Sequence, residues 1–461
     1  MMPSVFKDSD THTPAGAAAH LAEEIARRAA HPRAGSPHVE RCEVPLAAME
    51  PAAWLAAQRQ SERIFWSDRE DRSAVAGVGA AAVEFRAVCA DPHDLMGRIR
   101  ELIGDAEGVR CYGGIRFDSD REQADHWRQF GGARFVLPRF ELAARGGAAV
   151  LAVNLRFPED RGQVSRIIED LAQLRFAPAD PGIPPAGVRR RVDTPGREDW
   201  LDIVGAAVDE INAGRMDKIV LARESRCELG SPADPFRLTA RLAASAPGCF
   251  VFAFKPPDGA AFLGATPERL YRREGRRITS EALAGTRRRG ETPAEDALLG
   301  EKLLTSRKEA QEHACVADAV RGALAALCRE AAEEKGRELV KLARVQHLAT
   351  RFAGVLRDGV GDADILARLH PTPAVGGAPT ATARQRIREL EAFDRGWYAG
   401  PVGWIGADSA EFAVAIRSAL AAGDTLRLYS GAGIVGGSHP DREWDEIENK
   451  IDNYLKLLAG P

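Results

Sequence analysis

Cysteine is scarce and poorly placed for cross-linking. Seven residues (Cys42, Cys89, Cys111, Cys227, Cys249, Cys315 and Cys328) are scattered over 461 positions without a C-x-x-C pair. An odd number at wide spacing argues against a disulfide framework or a zinc site and fits a reducing cytoplasm. What remains for them is a role as small buried hydrophobes. No apolar run reaches the ~20 residues that span a bilayer, and the polar, Ala-rich N-terminus lacks the order of a secretory leader. Neither sign of charge is in excess: 63 Lys and Arg stand against 67 Asp and Glu. Nucleic acid and membrane are therefore not expected partners. Internal repeats are absent, and no P-loop or GxGxxG pattern sits between a strand and a helix, so no nucleotide cofactor is indicated.

What is present reads as a soluble globular chain, 45% hydrophobic and 28% charged, long enough for a large core. Residues 1–38 are expected to be a disordered tail, although Ala15–Ala30 could form a helix. Residues 39–188 and 189–461 are expected to be two halves of one structural unit, joined by the Pro- and Gly-rich stretch Ala177–Val188. In the first half, Val109–Phe117, Arg134–Pro138 and Ala148–Phe157 read as strands, and Asp91–Ile103 and Val164–Leu174 as helices. In the second, a helix opens at Asp199, carries an apolar stripe (Trp200, Leu201, Val204, Val208, Ile211) and is capped by Gly214. Asp217–Arg223, Cys249–Phe254, Ala261–Gly264, Leu339–Phe352, Glu411–Ser418 and Thr425–Ser430 read as strands. Glu295–Gly336 reads as one long helix, followed by helices at Asp362–Leu369, Thr382–Glu391 and Asp441–Leu458, with a loop at Pro371–Pro379. Strands mixed with long helices, without strict βαβ alternation, define an α+β class.

Chemistry concentrates at two helices. Glu443 and Glu446 share a face with Lys450, just beyond the small-residue turn Gly431-Ala432-Gly433. Glu309 and Glu312 form a second E-x-x-E pair on the long helix. Four carboxylates facing one another would make an all-oxygen site suited to Mg²⁺; each pair alone could equally be a solvated face. Arg417, at a strand end, is either a fork for a carboxylate or a surface charge. Lys218 opens an apolar strand and either snorkels outward or serves as a base in a cavity. Glu268, in Thr266-Pro267-Glu268-Arg269, is a general acid or a loop charge. Ala284-Gly285-Thr286 and Gly431-Ala432-Gly433 offer main-chain N–H groups to an anion, or are tight turns. His347 reads as a structural histidine and His439 as a loop residue.

Taken in order, several segments resemble the chorismate-utilising enzymes, the family of anthranilate synthase component I, aminodeoxychorismate synthase, salicylate synthase and isochorismate synthase. They are Lys218-Ile219-Val220-Leu221-Ala222-Arg223, Gly264-Ala265-Thr266-Pro267-Glu268, Leu283-Ala284-Gly285-Thr286, Lys308-Glu309-x-x-Glu312-His313, His347-Leu348-Ala349-Thr350, Leu369-His370-Pro371-Thr372-Pro373-Ala374, Gly400-Pro401-Val402-Gly403-Trp404, Ile416-Arg417 and Gly431-Ala432-Gly433-Ile434-Val435. The resemblance is strong from about Glu198 onward and weaker at Cys111–Phe117 and Phe135–Phe140. It implies two antiparallel sheets packed as a sandwich, with helices outside and the site between. It further implies that Glu312 and Glu446 bind Mg²⁺, that Glu309 and Glu443 hold its water shell, and that the metal meets the ring carboxylate of chorismate beside Lys450. Arg417 and Tyr398 would grip the enolpyruvyl carboxylate; Gly285, Thr286, His347, Gly431, Ala432 and Gly433 complete the implied substrate-contacting set.

Within the family, ammonia-using members carry glutamine where this chain has Lys218, and water-using members carry lysine. The resemblance therefore implies a neutral Lys218 activating water for attack at C2 and a protonated Glu268 assisting loss of the C4 hydroxyl. That is the isochorismate synthase reaction. Salicylate synthases share the lysine, but their segment matching Leu369–Ala374 reads more like Phe-Pro-Ser-x-Thr-Ala. A non-catalytic relative would lack one of Lys218, Glu268, Glu312 or Glu446, and all are present. No glutaminase domain is visible, and a cytoplasmic monomer serving menaquinone or siderophore synthesis is expected.

Overall fold

The computed structural model describes residues 13–31, 37–70, 72–88, 91–176 and 187–458. The first elements are α1 (Pro14–Ala30), β1 (His38–Leu46), α2 (Pro51–Ala57), β2 (Arg63–Ser67), β3 (Ser73–Arg86), α3 (Pro92–Ile103), β4 (Arg110–Ile115), β5 (Ala133–Arg145), β6 (Ala148–Phe157), α4 (Val164–Ala172) and β7 (Val188–Thr194). Then follow α5 (Arg197–Asn212), β8 (Lys218–Leu229), α6 (Pro235–Ser245), β9 (Phe250–Lys255), β10 (Ala261–Thr266), β11 (Arg269–Glu274), β12 (Arg277–Arg288), α7 (Pro293–Thr305) and α8 (Arg307–Leu327). The chain continues through β13 (Cys328–Lys341), β14 (Val345–Leu356), α9 (Asp362–Leu369), β15 (Gly377–Ala378), α10 (Thr380–Leu390), β16 (Pro401–Gly406), β17 (Ser409–Val414), β18 (Ser418–Ala422), β19 (Thr425–Ile434) and α11 (Pro440–Leu458).

The described strand pairs are antiparallel, and they form two wings joined at β5. One wing runs β7-β8-β19-β18-β10-β9-β2-β3-β5. The other leaves β5 at Val136–Ala133 and runs β4-β16-β17-β11-β12-β14-β13. The opposite end of β5 pairs with β6, which pairs with β1. The class is α+β, as expected, but hydrogen bonding is continuous from wing to wing. Aromatic side chains bridge the elements: Phe135 of β5 meets Phe412 of β17 at 6.1 Å, and Trp397 packs edge-on against Phe130 at 5.2 Å.

Several expectations need correction. Part of the expected tail is α1, whose Leu21 and Ile25 are fully buried. Each such side chain contributes ~1.5–3 kcal/mol, enough to hold an Ala-rich helix against β1. Residues 1–12 and 32–36, and residues 177–186 of the expected connection, lie outside the described residues. The single long helix is two helices and a strand. Ser306 interrupts it with extended backbone and caps α8, accepting from the Glu309 N–H. Beyond Leu327 the Glu- and Ala-rich run has helical propensity, yet pairing with β14 makes it an edge strand whose charges discourage further pairing. Gly431-Ala432-Gly433 is no turn: it lies inside β19, opposite Ala222, Leu221 and Val220 of β8. The expected strand Glu411–Ser418 breaks into β17 and β18, and Arg417 sits at the corner with φ +50°.

Candidate active site

One pocket of ≈ 110 Å³ collects side chains from both wings and two helices. Helix α8 contributes Glu309 and Glu312, and α11 contributes Glu443, Glu446 and Lys450. Strands and corners bring Glu268, Gly285, Thr286, His347, Tyr398, Arg417, Gly431 and Gly433. Lys218 lies behind this wall and reaches it through Glu312. Ala432 is not brought in. Alternation along β19 turns its side chain to the opposite face, where it is buried in the core.

The glycines make room rather than cradle an anion with a turn. A Cβ on Gly433 would stand 2.6 Å from Glu312 Oε1, and one on Gly431 would stand 2.9 Å from the Tyr398 hydroxyl. Gly285 occupies a bulge between β12 and β14 at φ +79°, a conformation that glycine adopts without strain.

At the acidic end, three carboxylates each hold a lysine. Lys218 Nζ donates to Glu312 at 2.9 Å, Lys308 to Glu443 at 3.0 Å and Lys450 to Glu446 at 2.7 Å. Lys450 also donates to the Gly431 carbonyl at 2.9 Å. Glu309 has no such partner among the described residues; burial and the charge of Glu312 push its carboxyl up to about 7. Burial likewise raises Glu443, whereas at Glu446 the pull of Lys450 outweighs burial and the carboxyl is lowered. Among the described residues no three His, Cys, Asp or Glu side chains converge tightly enough to form a finished metal cage. The donor chemistry nevertheless suits a hard cation: oxygen ligands only, on two facing helices, with mutual repulsion visible at Glu309.

Glu268 is buried between β10 and β11. Desolvation, reinforced by the charge of Glu281, pushes its carboxyl up to about 8, and Lys218 is near enough to oppose that rise. The backbone on both sides is pinned. Arg69 donates to the Pro267 carbonyl at 2.7 Å and forks onto Glu281, which in turn accepts from the Arg269 N–H at 3.1 Å. Arg69 and Glu281 are functional candidates missing from the sequence reading; nothing local could reveal a pair 212 residues apart. Lys308, quoted above only as part of a motif, joins them through its contact with Glu443.

The opposite end is cationic. Arg417 is half-buried with no carboxylate in ion-pair reach among the described residues, and desolvation pushes its guanidinium down. Its Nη2 lies 2.9 Å from His347 Nε2, and His347 Nδ1 lies 2.9 Å from Thr286 Oγ1. Tyr398 stacks on Tyr429 with centroids 5.5 Å apart. A partly desolvated cation without a counter-charge is costly and is relieved by an anionic ligand. Beyond Thr286 and Arg417 the pocket adjoins a cavity of ≈ 670 Å³ whose wall includes Arg287, Arg344 and Arg442.

Fold and pocket together define an α+β enzyme with a buried acid, a buried lysine, a carboxylate cluster and a separate anion grip. A family profile described as "Chorismate binding enzyme" matches residues 25–459. Isochorismate synthase 2, chloroplastic, of Arabidopsis thaliana is 34% identical, covering 98% of this chain and 86% of its own length. Isochorismate synthase MenF of Bacillus subtilis is 33% identical over 88% of this chain and 89% of its own. The solved structure of MenF, the menaquinone-specific isochorismate synthase from Escherichia coli, superposes with a TM-score of 0.83 at 28% identity, covering 96% of this chain and 99% of that one. This chain belongs to the chorismate-binding enzyme family. No described helix is long and apolar enough to cross a membrane.

Proposed function

We propose that this protein is an isochorismate synthase, converting chorismate to isochorismate by addition of water at C2 and loss of the C4 hydroxyl. The observation that carries the proposal is Glu268: a buried carboxyl, pushed up to about 8, that keeps its proton at neutral pH within electrostatic reach of Lys218. Lys218, acting as the neutral amine, keeps an N–H on Glu312, turns its nitrogen lone pair to a water and takes the proton as the oxygen attacks C2. The ring double bond shifts, the C4–O bond breaks, and Glu268 gives its proton to the departing hydroxide. One hydroxyl enters and one leaves, so the product is an isomer.

Arg417 and Tyr398 hold the enolpyruvyl carboxylate, and the Thr286 hydroxyl and the main chain at Gly285 complete that corner. Mg²⁺, bound by Glu312 and Glu446 with Glu309 and Glu443 on its water shell, would supply the positive charge that lets the ring carboxylate sit among four glutamates. Lys450 stands beside that carboxylate. We expect the enzyme to act in the cytoplasm as a monomer without a glutaminase subunit, feeding menaquinone or siderophore synthesis.

Chorismate and Mg²⁺ given to the purified protein should yield isochorismate, resolved by chromatography. Salicylate and pyruvate as the sole products would make it a salicylate synthase. Chorismate binding without turnover would make it a non-catalytic relative.

A further inference from the structure

Thr286 and His347 are partners across the β12–β14 ladder. The ring of His347 lies between two groups, with Nε2 2.9 Å from Arg417 Nη2 and Nδ1 2.9 Å from Thr286 Oγ1. A guanidinium has donors only. Nε2 must therefore present its lone pair to Arg417, and an imidazolium, or a proton on Nε2, would set N–H against N–H. A neutral imidazole has one N–H, so the proton sits on Nδ1, and the Thr286 oxygen and the main chain of Gly285 share it. The surroundings agree: burial, then Arg417 and Lys450, push His347 well below the ordinary histidine range, and a ring hydrogen bond to the main chain of Gly285 works the other way without reversing this. Once Nδ1–H occupies one side of Oγ1, the hydroxyl cannot point its own proton back at the ring. Among the described residues that hydroxyl has no second partner, and Thr286 lines both the pocket and the cavity beyond it.

We infer that His347 is a polarity lock: by accepting from Arg417 and donating to Thr286, it fixes the Thr286 hydroxyl as a donor aimed into the pocket. Arg417 and Thr286 then present donors side by side. This corner admits a carboxylate or ether oxygen and rejects a hydroxyl or amine that must itself donate. His347 is a positioning residue here, not a proton carrier. The lock is a property of the protein alone; that its ligand is the enolpyruvyl group of chorismate rests on the function proposed above.

The test has two arms. The enzyme is labelled with nitrogen-15 at its 10 histidines, and the His347 signals are assigned as those lost in His347→Gln. Long-range proton–nitrogen spectra from about pH 6 to about pH 8, where free histidine titrates, should show Nδ1 protonated and Nε2 bare throughout. An Nε2–H tautomer, or an imidazolium appearing in that range, overturns the inference. In turnover, Thr286→Val keeps shape and removes the donor, and KM for chorismate should rise ~10- to 100-fold, the usual worth of a hydrogen bond to a charged group. His347→Leu should lose a similar amount and His347→Gln, which keeps one donor and one acceptor, should recover most of it. A KM for Thr286→Val within about twofold of the parent contradicts the lock, since that is far less than such a bond is worth. If the parent enzyme does not turn chorismate over, the proposed function fails, while the nitrogen spectra still decide the tautomer.

Discussion

The two ends of the pocket solve opposite electrostatic problems by different means. The acidic end is built from helices. Four glutamates from α8 and α11 line the cavity, and lysines from β8, α8 and α11 hold three of them in single contacts. The cationic end is built from strands and their corners, with Arg417, His347 and Thr286 in one part-buried chain of hydrogen bonds. Lysine is a flexible point charge, and its pairs exchange partners readily; a guanidinium on a buried imidazole is preorganised. The difference indicates how a dianion would lie. One carboxylate can replace the missing counter-charge of Arg417 directly. The other can approach four glutamates only with a cation between them.

Substitutions can break this contrast. The largest effect should come from Lys218→Ala, which removes the proposed base and cuts kcat by about 10³-fold or more. Calorimetry should still detect chorismate and Mg²⁺ binding, and retained turnover would refute the role. Glu268→Gln should cost ~10²- to 10⁴-fold in kcat. In the unaltered enzyme the rate should decline as pH passes about 8, where Glu268 loses its proton. Linkage fixes the sign for stability. A carboxyl raised in the folded state contributes stability at low pH that is lost as pH rises from the ordinary carboxyl range through about 8. Glu268→Gln has no such loss, so its melting temperature should gain on the parent across that interval; a variant melting temperature that falls relative to the parent as pH rises would contradict the burial argument.

The next pair tests the two ends against each other. Glu446→Gln should raise the Mg²⁺ needed for half-activity by ~10- to 100-fold and move KM for chorismate less. Arg417→Lys should raise KM ~10- to 100-fold, leaving the Mg²⁺ requirement in place. If both variants moved the same parameter, the ends would not be separate sites. Smallest should be Arg69→Ala, which frees the backbone around Glu268; a fall in kcat of about tenfold with little change in KM is the mark of misplacement rather than lost binding.

Much of this was legible in the residues, for identifiable reasons. The pairs Glu309/Glu312 and Glu443/Glu446 sit on helices whose period puts them on one face, so their convergence needed only that α8 and α11 meet. Helix α9 (Asp362–Leu369) and strand β6 (Ala148–Phe157) have the expected limits, because each has a strong apolar pattern between breakers. Composition misled where tertiary pairing overrode it. The Glu- and Ala-rich end of the expected long helix became β13, and glycines that resemble a turn proved to be strand positions where a Cβ would strike Glu312 or Tyr398. The Arg69–Glu281 clamp and the Arg417–His347–Thr286 hydrogen bonds were invisible because both depend on contacts distant in sequence.

The central claim is that water enters at C2 under Lys218 and leaves from C4 under Glu268. The most direct measurement runs the reaction in water carrying heavy oxygen and locates the label in the product by mass spectrometry and NMR. The account predicts isochorismate with one labelled oxygen, at the C2 hydroxyl. Isochorismate whose C2 oxygen carries no label, transferred instead from C4 of the substrate, would contradict it.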